Sequence, residues 1–220
     1  MFRQEENSFR TMHGRQIWIF KMLPDKFFDE LKEKVRKILG EKGSHDFSHT
    51  ERVYNYSLKI SKDLDVDLDI VKAAALLHDI ARPKEDKKEV KDHAIHGAID
   101  ARKILRKMKF PEEKIDIVYK CIFMHNKNGQ DIPEIKEVRV LKEADGLETM
   151  GAVGIGRNFS FLGEKSAWKG NSDLNIMKNL TKNLNLEYFK LPIAKELARK
   201  RVDITRDFCN QFIKEYNLDI

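Results

Sequence analysis

Nine consecutive residues, Ala73-Ala74-Ala75-Leu76-Leu77-His78-Asp79-Ile80-Ala81, constrain this chain more than any others. Alanine and leucine are strong helix formers, and a run this apolar belongs in a protein interior. At its end stand a histidine and an aspartate side by side. A buried ionised carboxylate costs several kcal/mol unless it is paired or binds a metal. The pair therefore needs a partner. Two answers are open at this level: a His–Asp hydrogen bond that closes the helix, or further ligands supplied from elsewhere in the chain.

The surrounding sequence is helical in character. Lysine, glutamate, leucine and alanine dominate the periodic stretches, while proline (5) and glycine (11) are sparse, which predicts an all-α protein. An apolar share of 41% is too high for general disorder and fits a soluble globular domain. Residues 1–21 lack a sustained period and are expected to form an N-terminal arm or extension. A single domain is expected over 22–220. Leu23-Pro24-Asp25 opens the first helix, with apolar positions Phe28, Leu31, Val35 and Ile38, and Gly40 ends it. Asp46 and Asp67 are capping residues for the next two helices. Arg82-Pro83 stops the helix that carries His78-Asp79. Further helices carry His93 and lead to His125; another runs from about Pro133 to Leu147. Residues 164–175 read as a loop and lid, and Leu191 to Tyr216 as a long amphipathic helix. The glycines of Gly151-Ala152-Val153-Gly154-Ile155-Gly156 follow no strand, so they do not form a dinucleotide fingerprint and instead favour close helix packing.

The charge balance narrows the function classes. The net charge is +6, from 42 basic and 36 acidic residues of interspersed sign. This fits an anionic substrate better than a nucleic-acid platform, and no aromatic-basic interleaving appears. Cys121 and Cys209 stand apart with no CxxC spacing, as in a reduced, cytoplasmic protein. No run reaches the length of a membrane span, and the first residues lack the apolar core of a signal peptide.

Four residues answer the question posed by the buried pair: His49, His78, Asp79 and Asp145. Two imidazoles and two carboxylates suit one divalent ion of borderline hardness such as Mn, Fe, Co, Ni or Zn, with Mg also open. They would leave positions free for water and substrate. The ordered quartet resembles the H…HD…D signature of the HD-domain metal-dependent phosphohydrolases. The likeness extends further. His45-Asp46-Phe47-Ser48-His49-Thr50-Glu51-Arg52-Val53 is similar to that family's HDxxHxxRV stretch, and Ala74-Ala75-Leu76-Leu77-His78-Asp79-Ile80 to its AALLHDI stretch. Glu143-Ala144-Asp145-Gly146-Leu147 with Gly151-Ala152-Val153-Gly154-Ile155-Gly156-Arg157 resembles a "DADxLExxGAxGIxR" stretch of a small bacterial and archaeal branch. That branch includes nucleotide pyrophosphohydrolases. Gly146 departs from it, since a charged residue is usual there, and so does the abrupt Arg82-Pro83.

The resemblance implies an all-helical HD-domain bundle that hydrolyses a phosphoester or phosphoanhydride, with His49, His78, Asp79 and Asp145 as ligands of one metal. Asp79 also joins His93 and His125 as the catalytic set. The two histidines line the pocket, contacting phosphate or donating a proton to the leaving group. His45, Arg52 and Arg157 are candidate substrate contacts, against capping, ion-pairing and surface roles respectively. The expected partner is a small phosphorylated substrate, a nucleotide in particular, without nucleic acid or membrane; a homo-oligomer is compatible with the sequence. A nuclease, or a metal-binding HD module without turnover, is the alternative reading.

Overall fold

The computed structural model describes residues 8–12, 15–19, 22–41, 44–127, 134–164, 177, 180–181 and 184–217. A two-stranded antiparallel hairpin comes first, β1 (Ser8–Met12) and β2 (Arg15–Ile19), with Phe9 opposite Trp18. No strand was expected in this arm, whose residues lack a sustained period. The rest is helical, as expected: α1 (Asp25–Leu39), α2 (Phe47–Ser61), α3 (Leu68–Leu77), α4 (Arg82–Asp86), α5 (His93–Lys107), α6 (Glu112–Met124), α7 (Lys136–Leu147), α8 (Gly151–Glu164) and α9 (Pro192–Tyr216), with a 3-10 turn at Leu186–Tyr188 before the last. The loop expected over 164–175 lies outside the described residues, apart from Glu164, which ends α8.

The bundle is organised around α3. Its residues from Asp69 to Leu77 are all buried, as an all-round apolar helix must be. It packs on α1, α2, α5, α6 and α7. The amphipathic helices turn one stripe towards it. In α1 that stripe is Phe28, Leu31, Val35 and Leu39. Ile38, expected in the stripe, is 45% exposed, because the 3.6-residue period carries the face on to Leu39. Asp46 caps α2 by accepting from the His49 amide, and Asp67 caps α3 by accepting from the amides of Asp69 and Ile70.

Three buried charges fix how the helices dock. Asp69 accepts from Lys114 Nζ of α6 at 2.7 Å and from the Leu23 amide, which ties the entry of α1 to the core. Glu143 of α7 accepts from the amides of Lys190 and Leu191 and so holds the start of α9. Its neighbour Lys142 donates to the carbonyls of Met124, His125 and Lys127 at the end of α6. Each of these bonds contributes about 1 kcal/mol, but removing one partner strands a buried polar group at about 1–3 kcal/mol. The absence of a side chain at Gly146 has a spatial reason. A Cβ there would stand 2.7 Å from Tyr188 Cε1, so the ring fills the space that a charged residue would need.

Candidate metal centre

The site forms where helices end. α3 closes at Leu77, six residues before Pro83 and earlier than that proline required, so His78 is the C-cap and Asp79 lies in the turn beyond it. α6 closes in the same manner with His125 as its C-cap. In both, Nδ1 donates to the carbonyl three residues back: His78 to Ala75 at 2.8 Å, His125 to Ile122 at 2.6 Å. A carbonyl only accepts, so the proton sits on Nδ1 and Nε2 is turned into the site. His49 comes from the first turn of α2, His93 from the start of α5, and Asp145 from the last turn of α7.

These groups converge on the two oxygens of Asp79. Oδ2 lies 3.5 Å from His78 Nε2 and 3.7 Å from His49 Nε2. Asp145 Oδ1 stands 3.4 Å from His49 Nε2. On the other side, Asp79 Oδ1 lies 3.3 Å from His93 Nε2, 3.7 Å from His125 Nε2 and 3.8 Å from an Arg82 guanidinium nitrogen. Four imidazole rings run in a chain, His49 to His78 to His125 to His93, each pair edge to face with centroids 5.3 Å apart. His49, His78 and Asp79 form one buried triad with metal-ligand spacing, and Asp79, His93 and His125 form another. Asp145 retains 29% of its side-chain surface, so the quartet opens to solvent on its side.

The donor set fits a cation. The Nε2 atoms of His49 and His78 face each other at 3.3 Å, and Asp79 Oδ1 is buried with no hydrogen bond. Facing lone pairs beside two carboxylates leave a local excess of negative charge. The electrostatics show the same demand. Burial opposes a charge on His49, yet Asp145 and Glu148 outweigh it and raise its pKa. Burial lowers His78 to about 4. Asp79 and Asp145 are held below the carboxylate range, since the surrounding histidines, with Arg82 beside Asp79, more than offset the cost of burial.

Around this centre the structure places three groups that the sequence reading did not single out. Glu148, fully buried, lies 3.4 Å from His49 Nδ1 and accepts from Arg52 Nε at 2.7 Å. Glu85 accepts from His93 Nδ1 at 3.1 Å and from Arg82 at 2.5 Å. Arg82 reaches Asp79 and lines the adjoining cavity. One signal was available for each: Glu148 is three residues beyond Asp145, and Arg82 and Glu85 follow Asp79 at spacings of three.

The substrate candidates divide. His45 and Arg157 line a cavity of about 160 Å³ together with Ser44, Arg82, Glu148, Thr149, Asn158 and Phe161. Arg157 also donates to the carbonyls of Ser44 and Glu148. Arg52 donates to Glu148 and Ser48 and does not appear in that lining. His93 and His125 are buried beside Asp79. His125 is raised, because the Asp79 carboxylate outweighs its burial; His93 is lowered, chiefly by burial.

Comparison with known proteins agrees with this geometry. Residues 46–150 match the model of the HD domain family. YpgQ of Bacillus subtilis is 27% identical over 201 residues, 87% of this chain and 93% of its own. A crystal structure of YpgQ in complex with ADP superposes with a TM-score of 0.66 at 26% identity, covering 86% of this chain and 97% of the other. A predicted HD superfamily hydrolase from an uncultured Thermotogales bacterium superposes with a TM-score of 0.62 at 29% identity, covering 86% and 92%. The motif, the helical bundle and these relatives agree: residues 46–150 match the HD domain, and the chain is similar in sequence and fold to proteins described as HD superfamily hydrolases.

Proposed function

We propose that this protein is a metal-dependent phosphohydrolase that cleaves a phosphoanhydride or phosphoester bond of a small nucleotide. His49, His78, Asp79 and Asp145 hold one divalent ion. The observation that carries this reading is the buried triad of His49 Nε2, His78 Nε2 and Asp79 Oδ2 at metal-ligand spacing, with Asp145 Oδ1 3.4 Å from His49 Nε2. Such an ion, when bound, lowers the pKa of water and neutralises phosphate charge.

The chain's own residues supply the rest. Glu148 receives the Nδ1 proton of His49 and keeps its Nε2 directed inward, while Arg52 braces that carboxylate. Arg82 and Arg157 border the cavity as cations suited to phosphate oxygens. His125 Nε2 faces the site beside His93, whose Nδ1 meets Glu85, and the Asp79 carboxylate favours its protonated form, so it is placed to act as a general acid towards a leaving oxygen. One ion rather than two is favoured by Arg82. Its guanidinium already stands 3.8 Å from Asp79 Oδ1, where a second ion would face a positive charge and no second carboxylate of the quartet.

A YpgQ structure holds ADP, which supports a nucleotide as the ligand class. The test is a panel of nucleoside mono-, di- and triphosphates with Mn²⁺, run beside a digest of single-stranded RNA. Release of phosphate, pyrophosphate or nucleoside monophosphate from the panel, with the RNA intact, is expected. Cleavage of RNA alone would make it a nuclease, and no turnover on either would leave a binding module.

A further inference from the structure

His45 sits in the turn between α1 and α2, on the wall of the cavity beside the quartet. Its surroundings fix which nitrogen carries the proton. Glu164, at the end of α8, accepts from the Ser44 amide at 2.7 Å and from the Ser44 hydroxyl at 3.0 Å. A serine hydroxyl has one proton, and a carboxylate can only accept, so that proton is committed to Glu164. Ser44 Oγ also lies 2.9 Å from His45 Nδ1. With its own proton spent, the hydroxyl can only accept there, so Nδ1 carries the hydrogen. His45 Nε2 is left with a lone pair.

We propose that this Ser44–Glu164 clamp makes His45 a hydrogen-bond acceptor for a sugar hydroxyl of the nucleotide, rather than a phosphate contact. The inference rests on the function proposed above and narrows its substrate to nucleotides with a free hydroxyl. Position supports it. The His45 ring lies edge to face with both His49 (centroids 5.9 Å apart) and Phe161 (5.5 Å), between the metal quartet and the aromatic end of the cavity. A nucleotide with its phosphates at the quartet carries its sugar past that point. A lone pair repels phosphate oxygens and accepts a hydroxyl proton, while Arg82 and Arg157 in the same cavity suit the phosphates. Ser44 and Glu164 are positioning residues in this scheme.

The test compares binding of ADP and 2′,3′-dideoxy-ADP by calorimetry with Mn²⁺ present, on the full chain. The natural protein should bind ADP about tenfold more tightly, the loss expected for one hydrogen bond. In Glu164→Gln the amide can donate to Ser44, which frees the hydroxyl to donate to His45 Nδ1 and moves the ring proton to Nε2. The preference for ADP should then fall towards parity, although the substitution is on the surface and leaves the quartet untouched. His45→Gln, whose amide oxygen can stand in for Nε2, should retain part of the preference, and His45→Phe none. Nitrogen-15 NMR of the imidazoles gives the second readout: a protonated Nδ1 and bare Nε2 for His45, reversed in Glu164→Gln. Equal affinity of the natural protein for both nucleotides, or a His45 proton on Nε2, would overturn the inference while leaving the phosphohydrolase reading intact. Failure to bind ADP at all would instead strike the nucleotide reading and take the hydroxyl contact with it.

Discussion

His78 and His125 are built alike and end up different. Each caps the C-terminus of a helix packed into the core, and each donates Nδ1 to the carbonyl three residues earlier. Yet burial brings His78 down to about 4, whereas His125 is raised because Asp79 outweighs the same burial. The local device aims the imidazole; the neighbours decide what it does. His78 lies on the Oδ2 side of Asp79, with His49 and the carboxylate of Asp145. His125 lies on the Oδ1 side, with His93 and Arg82. One carboxylate thus separates a half suited to an ion from a half suited to a proton.

Removing Asp79 should abolish the comparison. Asp79→Ala takes a ligand from one half and the charge partner from the other. Metal content by elemental analysis and turnover should both fall by more than about 100-fold, since loss of an outer-shell partner alone costs up to that much. Full metal content in this variant would sink the assignment. His125→Ala sharpens it. Turnover should drop by about 10²–10⁴-fold, the usual contribution of a general acid, with one ion per chain before and after. Two ions in the parent and one in the variant would show that both halves bind metal.

Glu148→Gln acts on the other half. It weakens the acceptor behind His49, and metal affinity in a competitive chelator titration should fall by about 10–100-fold. An unchanged affinity would reduce Glu148 to a packing residue. Lys142→Met tests how His125 is held. Three carbonyls at the end of α6 lose their donor, so stability should drop by about 1–3 kcal/mol in urea unfolding, and turnover should fall with metal retained. Burial lowers Lys142 from 10.5 to about 8. Between those values the unfolded chain binds the extra proton, so the natural protein should gain stability as pH rises through that window. Lys142→Met should lack this rise. The smallest effect is expected from a chain starting at Met22, our proposed boundary of the catalytic domain. It keeps the bond from the Leu23 amide to Asp69, so its melting temperature and metal content should match the full chain; a marked loss would place the hairpin in the folding unit.

Much of this was legible in one dimension because it depends on local spacing. The apolar run 73–77 can only be an interior helix, capping aspartates announce α2 and α3, and the quartet keeps its order along the chain. Glu148, Arg82 and Glu85 were not legible as site residues. A charged residue near a motif reads as solvated surface until its partner is known, and their partners are 99, 3 and 8 residues away: His49, Asp79 and His93. Arg52 shows the reverse case, a basic residue in a motif whose charge is taken up by Glu148.

Residue types alone carry the helical class and the buried His78-Asp79 pair, since helix period and the cost of a buried charge belong to residue types, and the order of His49, His78, Asp79 and Asp145 carries the resemblance that makes them candidate ligands. The folded arrangement of the helices sets which oxygen of Asp79 each histidine meets and which groups surround His45. Those depend on distances between residues far apart in the chain, and electrostatic energy and hydrogen bonding follow distance and direction rather than sequence order.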